Sequence, residues 1–567
     1  MWIFKNSMIM KSVKLRYIAL LMSLGFYLTS CQDLTELNKN PNNPVEVSSN
    51  FIMTYVLTNT GKIVFDLGKD GSKIGSAMQY MQAGTNEGAA VINQYDWTQE
   101  SWNAYYDALR NNQIIYENGV RDNNRFFQAV ALTMKSYLFG LLTDLYGDIP
   151  YTEALQAKDA LFFPKYDDQA SVYKGILTDL KEADALLSSL DAKDAISASA
   201  DVLFKGESGK WRKFVNSLRL RYSMRLSEKK SEMSALGIDI EAEFKAASGL
   251  AFTSNSDDAT ILFLGTAKDN AAPGGPLNSS NPNFKLKPGK PFIDKLSALG
   301  DPRMQRFFQP VQRKWDTGVE TETTVTVTNI FGENYDIILV PADAASADTS
   351  LYVGLPIGLP ITQAVSYNKG NDNAAYHNER NPYISFLHQR YRENSDPYVN
   401  MNLMTYAEVE FLLAEAAQRG GGFGISDAET HFKEGIKAAM NKVGVSAAAS
   451  FDFDSYYAQP AVSYAQAANK LERIMEQKWI ASWFDIQSWF DWRRTGYPAL
   501  QAGEVAQYGD ALPIRYIYPA PNLDPKYLVN YDAAVAKLEA TTHIPSGQSK
   551  DHHYAKMWVL QGTGKPW

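Results

Sequence analysis

The sequence has very little cysteine and histidine. Cys31 is the only cysteine in 567 residues, so the chain can form no internal disulfide and its own core must hold the fold. The six histidines are scattered, apart from His552 and His553. Neighbouring residues on a helix or strand do not share a face, so we expect an exposed polar pair there rather than a metal site. We predict no metal and no cofactor.

Positive charge and long apolar runs are also scarce. The 55 lysines and arginines are outnumbered by 63 acidic residues. No long basic stripe is present to displace counterions from phosphates, which excludes the usual nucleic-acid-binding classes. Beyond the N-terminal region, no apolar run approaches the roughly 20 residues that a membrane-spanning helix needs. We expect a body that is tethered to a membrane rather than embedded in one.

The motifs of several common enzyme classes are missing. The chain has no Gly-x-Ser-x-Gly elbow and no His-Glu-x-x-His helix, and the glycine-rich Gly206–Lys210 is too short for a phosphate-binding loop. Asp167 and Asp168 form a carboxylate pair, and glycosidases need two carboxyl groups. Their position just before an apolar helical stripe favours helix capping instead. We expect no enzymatic activity.

The N-terminus has the pattern of a secretory signal. A basic stretch precedes an almost uncharged run, residues 17–30, which is too short to span a bilayer as a stable helix. A Leu-Thr-Ser triplet followed by Cys31 resembles a bacterial lipobox, in which the cysteine becomes the acylated N-terminus. We predict a signal peptide over residues 1–30 and lipidation at Cys31. The first 30 residues carry four basic and no acidic side chains, so the formal charge of −8 becomes −12 in the mature chain.

The pattern of the remaining residues predicts a tether followed by helix pairs. An Asn-, Pro- and Ser-rich stretch favours turns over helix, and predicts a tether over residues 31–55 before a domain over 56–567. Apolar residues such as Val172, Ile176 and Leu180 recur at helical spacing. This period predicts four helix pairs, at about 101–145, 168–227, 404–443 and 466–495.

The third pair is the clearest. Three glycines from Gly420 end its first helix, and Ser426 and Glu429 have the spacing of a capping box for its second. Such a unit of about 34 to 40 residues resembles a tetratricopeptide-type repeat. Between the second and third pairs, residues 230–400 are punctuated by Gly and Pro and contain an alternating run, Thr323–Thr328. We predict a loop-rich insertion with a little β structure, and such loops often carry binding function.

Short blocks along nearly the whole chain resemble the SusD/RagB family of nutrient-binding outer-membrane lipoproteins. The most specific is Gln477-Lys478-Trp479 together with Trp-Phe-Asp-Trp-Arg-Arg-Thr-Gly-Tyr-Pro at residues 489–498. Further blocks stand in the family's order at residues 38–44, 145–151, 164–167, 210–221, 301–303 and 408–416.

This resemblance implies a mainly α fold, a right-handed superhelix of four tetratricopeptide-like helix pairs with a loop-rich insertion that contains minor β structure. It implies a non-catalytic lipoprotein at the cell surface, held in the outer membrane by its lipid anchor alone. The implied role is capture of oligosaccharide and its delivery to a SusC-like TonB-dependent channel. The family's ligand contacts are not a fixed motif, so the resemblance implies no binding residue.

Candidate ligand contacts must come from chemistry. Sugar capture needs flat apolar faces for the C–H side of a pyranose ring, with amides and charges for the hydroxyls. Tyr95, Trp97 and Trp102 lie among Asn, Gln and Asp residues, and Tyr352 lies in the Gly/Pro-rich insertion. We predict that these four contribute to a shallow, exposed aromatic platform. Ordinary packing in the core is the alternative.

Other functional interpretations stay open. Peptide or glycopeptide capture would favour a groove with charges, a hydrolase would need a carboxylate pair outside known motifs, and a structural adaptor would use its repeats to hold a partner protein. The segment Asp491–Arg494 could form an anion clamp. We expect instead that its arginines pair with carboxylates and that Trp479, Trp483, Trp489 and Trp492 fill the core.

Overall fold

The computed structural model describes residues 47–69, 73–83, 94–278, 286–342, 347–370, 372, 380–519, 524–565 and 567. The predicted signal peptide, Cys31 and most of the predicted tether lie outside these residues. The tether prediction is wrong at its C-terminal end, because a helix begins at Ser49. Buried apolar residues at helical spacing, such as Met53, Val56 and Leu57, explain this early start. Residues from Ile52 onward form one compact unit.

Helices dominate the described residues. They are α1 (Ser49–Gly68), α2 (Ile74–Ala77), α3 (Asn103–Arg121), α4 (Arg125–Tyr146), α5 (Gln169–Leu187), α6 (Ser208–Arg225), α7 (Lys230–Ala235), α8 (Ile240–Ser248), α9 (Lys290–Ala298), α10 (Met304–Phe307), α11 (Ile361–Ser366), α12 (Tyr406–Arg419), α13 (Ala428–Lys442), α14 (Phe453–Tyr457), α15 (Lys470–Ala481), α16 (Gln487–Thr495) and α17 (Pro525–Ala536). The prediction of a mainly α fold is confirmed.

The strands are short and form small sheets. They are β1 (Met81–Ala83), β2 (Ile149–Pro150), β3 (Tyr166–Asp167), β4 (Ala259–Leu262), β5 (Leu286–Pro288), β6 (Phe308–Gln309), β7 (Arg313–Asp316), β8 (Thr323–Thr328), β9 (Asn334–Pro341), β10 (Phe386–Leu387) and β11 (Asn400–Met404). Antiparallel pairs join β1 to β5, β2 to β3, β4 to β11 and β6 to β10. The predicted strand Thr323–Thr328 is β8, antiparallel to β9, which also pairs in parallel with β7.

All eight helices of the four predicted pairs are present. They are α3 and α4, α5 and α6, α12 and α13, and α15 and α16. Consecutive helices pack from α3 through α6, and α12 packs on α13, α15 and α6. Between α6 and α12, the buried Arg221 guanidinium donates to both oxygens of Glu408 at 2.7 and 2.6 Å. This ion pair ties the second helix pair to the third.

The helix α4 is the central core element of the first two pairs. Its N-terminus is capped by Asn124, whose Oδ1 accepts from the Phe127 amide at 3.1 Å. Among the described residues it is the one helix whose length and composition would suit a membrane span, and 83% of its apolar stretch is buried inside the protein. Gly140 is required there, because a Cβ atom would lie 2.0 Å from the Tyr222 hydroxyl oxygen.

The predicted capping box at Ser426 and Glu429 is wrong. Asp427 is the N-cap residue of α13, with φ of 58°, and its side chain makes no capping hydrogen bond. The Ser426 hydroxyl bonds to Asp427 instead, at 3.1 Å. The preceding glycine turn is as predicted, since Gly420 follows α12 with φ of 67°.

The anion-clamp segment is a buried polar network, in which Arg494 pairs with a carboxylate as predicted and Arg493 instead bonds to backbone carbonyls. Lys478 Nζ lies 2.7 Å from Asp491 Oδ2, and Arg494 Nη2 lies 3.0 Å from Asp491 Oδ1. Arg493 donates to the Ile514 and Asp144 carbonyls. The four tryptophans expected in the core are buried there. Lys478, Arg493 and Arg494 are therefore committed to the fold.

Candidate functional site

The structure places the four predicted platform residues in the interior. Tyr95, Trp97, Trp102 and Tyr352 are 0%, 4%, 7% and 8% exposed. An aromatic ring that is this buried presents no open face to a pyranose, so the exposed placement on which that prediction depends is wrong. Whether any of the four affects ligand binding stays a prediction.

Aromatic packing explains the burial of the two tryptophans. The Trp97 ring lies 5.6 Å from Trp489 and 5.5 Å from Tyr516, centroid to centroid. The Trp102 ring packs edge-on against Tyr146 at 5.4 Å. These partners are distant in sequence, so the polar neighbours of the predicted cluster gave a misleading signal about exposure.

The histidine pair is also buried rather than exposed. His552 and His553 are 7% and 1% exposed, and their rings stack with centroids 4.4 Å apart. Burial, followed by the neighbouring His552, lowers the pKa of His553 to about 3. The prediction of an exposed pair is wrong. Among the described residues, no group of three His, Cys, Asp or Glu side chains could hold a metal ion.

Both members of the carboxylate pair before α5 have structural partners, backbone amides for Asp167 and Lys537 for Asp168. Asp167 Oδ2 accepts from the Thr152 amide at 2.7 Å and from the Tyr151 amide at 3.2 Å. Asp168 is the N-cap residue of α5, but its side chain makes no capping hydrogen bond. Asp148 performs that task, since its Oδ1 accepts from the Gln169 amide at 2.9 Å. Asp148, and not the predicted pair, therefore caps the start of α5.

A cleft of about 390 Å³ lies beside α16 and is walled by two tryptophans. The ring centroids of Trp492 and Trp567 are 4.6 Å apart, with a tilt of 42° between the ring planes. The Gly496 amide donates to the Trp492 carbonyl at 2.7 Å, and its φ of 82° ends α16 at the cleft wall. The helix end thus positions Trp492, and the left-handed glycine leads the chain around the cleft.

The rest of this cleft is apolar with a small polar rim. Its walls include Leu500 and Leu512, and its rim carries Asp510 and His543. His543 Nδ1 lies 3.0 Å from the Tyr508 carbonyl oxygen, which fixes the orientation of the ring. The indole Nε1 of Trp567 is buried and has no hydrogen-bond partner among the described residues.

The electrostatics of the cleft favour an uncharged ligand. Asp510 is exposed at the rim, and none of the described lining residues is a lysine or arginine. A carboxylate or sulfate on a ligand would lose water without gaining a cationic partner. Apolar walls with a few polar groups at the rim are the usual composition of small-molecule sites.

Two smaller clefts are also present. One of about 280 Å³ lies between α1 and residues 263–278, over a floor that includes Phe65 and Phe263. The other, of about 200 Å³, lies at the start of α5. The two phenylalanines are 2% and 6% exposed, while Trp492 and Trp567 are 4% and 9% exposed, so volume rather than open ring face distinguishes the clefts. The Trp492–Trp567 cleft is therefore the strongest candidate site.

A helical frame with an aromatic-walled cleft is the architecture of a binding protein. Glycosidase chemistry needs two carboxyl groups across the cleft, and Asp510 is the one carboxylate side chain among the described residues that line it. The fold and the cleft are those expected of a protein that binds a small molecule.

A SusD-like family model, described as starch-binding and associating with the outer membrane, matches residues 41–519. The chain belongs to this family. Its members are binding proteins of the outer membrane. No curated protein matches the chain.

Solved structures agree with this assignment. The chain is 25% identical to a SusD homologue from Bacteroides fragilis NCTC 9343, with a TM-score of 0.68 over 91% of this chain and 99% of that one. It is 26% identical to an outer membrane protein from Bacteroides vulgatus ATCC 8482 that is associated with nutrient binding, with a TM-score of 0.68 over 91% and 100%. A chitin-binding protein shares the fold at 24% identity, with a TM-score of 0.67 over 90% and 99%.

Sequence reasoning did not find the cleft. It assigned Trp492 to the core, which is correct for most of the ring, since the residue is 4% exposed. Trp567 carries no local signal, and its meeting with Trp492 joins positions 75 residues apart in the chain. Only the tertiary fold brings the two rings together.

Proposed function

We propose that the protein is a non-catalytic surface lipoprotein that captures neutral oligosaccharide and delivers it to a SusC-like TonB-dependent channel. Membership of a starch-binding, outer-membrane-associated family supports the class of ligand and the location. The lipobox-like sequence that ends at Cys31 supports the anchor. The channel follows from the resemblance of the sequence blocks to SusD/RagB proteins.

The observation that carries the ligand proposal is the Trp492–Trp567 cleft. The exposed edges of Trp492 and Trp567, which are 4% and 9% exposed, supply apolar surface for sugar C–H groups together with Leu500. Asp510 and His543 offer hydrogen bonds to hydroxyls. A peptide ligand would favour a groove with more charge, and the described lining holds one carboxylate and no lysine or arginine. The cleft therefore favours saccharide over peptide.

Calorimetric titration of the lipid-free mature protein tests this proposal. The probes are maltoheptaose and chitohexaose, followed by an array of neutral glycans. Trp567→Ala removes one wall, and we expect an affinity loss of about fivefold to tenfold for the glycan that binds, since a stacked ring contributes about 1 kcal/mol. Phe162→Ala is the matched control, because Phe162 is 63% exposed and lines neither this cleft nor its smaller neighbours.

Two results would contradict the proposal. One is the absence of binding to every neutral glycan in the array. The other is equal affinity in Trp567→Ala and the unmodified protein, which would place the glycan elsewhere. Turnover of any bound glycan by the purified protein would contradict the non-catalytic role.

A further inference from the structure

The 200 Å³ cleft lies where three segments meet: the start of α5, the end of α17 and the turn Trp558–Leu560. Its floor is apolar, because Met557 and Leu538 line it and are 1% and 5% exposed. Its rim is polar and includes Asp168 and Lys537, whose side chains are 62% and 50% exposed. The cleft thus combines an apolar floor with a rim of donors and acceptors.

A half-buried tryptophan lines this cleft in a fixed orientation. Lys229 Nζ lies 5.1 Å from the Trp558 ring centroid and donates to the Gln561 carbonyl at 2.6 Å. The Tyr173 ring supports the indole at a centroid distance of 6.4 Å. Because neighbours already hold the ring, a ligand that stacks on it does not have to order it.

The rim carries two carboxylates and one ammonium group, which are paired with each other. Lys537 Nζ lies 3.1 Å from Asp148 Oδ2 and also pairs with Asp168. Asp148 is 7% exposed and is committed to Lys537 and to the capping of α5. Asp168 and Lys537 are exposed enough to exchange part of their ion pair for bonds to hydroxyl groups. Such a rim suits a neutral polyol.

We propose that this cleft is a second saccharide subsite, which takes a single neutral hexopyranose unit. Its volume is about half that of the Trp492–Trp567 cleft, which limits it to a short or terminal unit. The apolar floor and the Trp558 indole take the C–H face of the ring, while Asp168, Lys537 and Gln561 take its hydroxyls. The ligand class rests on the proposed function, but the location does not.

Methyl NMR of the full-length mature protein tests the subsite directly, because Met557 lines the cleft and carries a methyl group that reports on its surroundings. The resonance is assigned with Met557→Leu. The probes are the methyl pyranosides of glucose, galactose, mannose and N-acetylglucosamine, with sorbitol as an acyclic control. A hexose has about twelve non-hydrogen atoms. At the binding free energy per atom that is typical of drug-sized ligands, this number of atoms gives a dissociation constant on the order of 2 mM.

We expect at least one pyranoside, but not sorbitol, to move the Met557 resonance with saturation in the millimolar range. Asp168→Asn removes an exposed charged acceptor without disturbing a helix cap, and we expect it to weaken this response about threefold to tenfold. Ala170→Phe fills the cleft and abolishes the response. If Ala170→Phe does not fold, Asp168→Asn carries the test.

A Met557 resonance that no pyranoside moves would overturn the subsite, as would an unchanged response in Asp168→Asn. The ion pairs of Lys537 with Asp148 and Asp168 would then serve only to stabilise the N-terminus of α5. The two proposals fail separately. Loss of oligosaccharide binding in Trp567→Ala with a silent Met557 would remove the subsite alone. A responsive Met557 in a protein whose Trp567→Ala variant binds oligosaccharide normally would remove the larger cleft alone.

Discussion

Arg494 Nη2 lies 2.7 Å from Glu415 Oε2, and this buried pair joins α16 to α12. Arg419 donates to the same carboxylate at 2.8 Å. Burial alone would raise the pKa of Glu415, but Arg494 and Arg419 outweigh it and lower the pKa to about 2. The most specific family block thus contains a charge network that holds two predicted helix pairs together.

Glu415→Gln removes the charge at constant shape and leaves the buried Arg494 guanidinium with one remaining counter-charge, Asp491, which it shares with Lys478. We expect the free energy of unfolding to fall by about 3 to 5 kcal/mol, measured by urea denaturation at pH 7. Asp107→Asn is the matched control, since its pair with Arg110 on α3 is exposed, and we expect a change within about 0.5 kcal/mol. Equal effects of the two substitutions would contradict the role of the buried network.

The pKa of Asp485 is shifted in the opposite direction from that of Glu415. Burial, followed by the nearby Glu408, raises its pKa from 3.8 to about 6. The folded state therefore holds this proton more tightly, and the contribution of Asp485 to stability is lost as the pH rises from 3.8 through about 6. Asp485→Asn should stabilise the protein by about 1 to 3 kcal/mol at pH 8 and by much less at pH 4. Urea denaturation at both values measures this, and equal gains at the two pH values would contradict it.

The substitution Trp97→Ala distinguishes a packing role of this side chain in the core from a ligand-binding role in an exposed platform. The ring packs against Trp489 and Tyr516, so we expect the substitution to cost about 3 to 5 kcal/mol of stability. The affinity of the remaining folded protein for oligosaccharide should stay unchanged, because Trp97 does not line the Trp492–Trp567 cleft. Thermal melts and calorimetric titration of the same variant check both halves. A stable Trp97→Ala variant with weakened binding would restore the original platform prediction.

These outcomes show which features the sequence could predict. The helix pairs were predictable because the stripe of Val172, Ile176 and Leu180 is set by local periodicity, and all three residues are buried as expected. The caps were less predictable, because Asp427 and Asp148 compete with the expected residues for the helix ends. A side chain from elsewhere in the fold decided the second case.

The candidate site was not predictable from local pattern. Exposure of an aromatic residue depends on partners that come from distant segments, as Trp97 shows with Trp489 and Tyr516. Polar neighbours in sequence do not report those partners. The Trp492–Trp567 cleft depends in the same way on tertiary contacts, so chemistry could name the residue types that a sugar site needs but not their positions.

The anchor gives a prediction in cells. Cys31→Ala removes the thiol that lipidation requires, and each lost acyl chain removes about 0.8 kcal/mol of membrane affinity per buried CH₂ group. We expect the variant to leave the outer-membrane fraction, while the unmodified protein stays there and incorporates labelled palmitate. Fractionation with immunoblotting measures both. A Cys31→Ala protein that stays in the outer membrane would show that another segment or partner anchors it.

The proposed complex with a channel can be tested by co-purification. A protein of 567 residues with one cleft of about 390 Å³ has far more surface than a small ligand covers, and its family associates with the outer membrane. Extraction of native membranes in a mild detergent should co-purify the tagged protein with a β-barrel protein of much greater mass. The Cys31→Ala variant, added to the same membranes, separates docking from anchoring, since a specific interface retains the barrel without the lipid. Recovery of the tagged protein alone, under conditions that preserve other outer-membrane complexes, would contradict delivery to a channel.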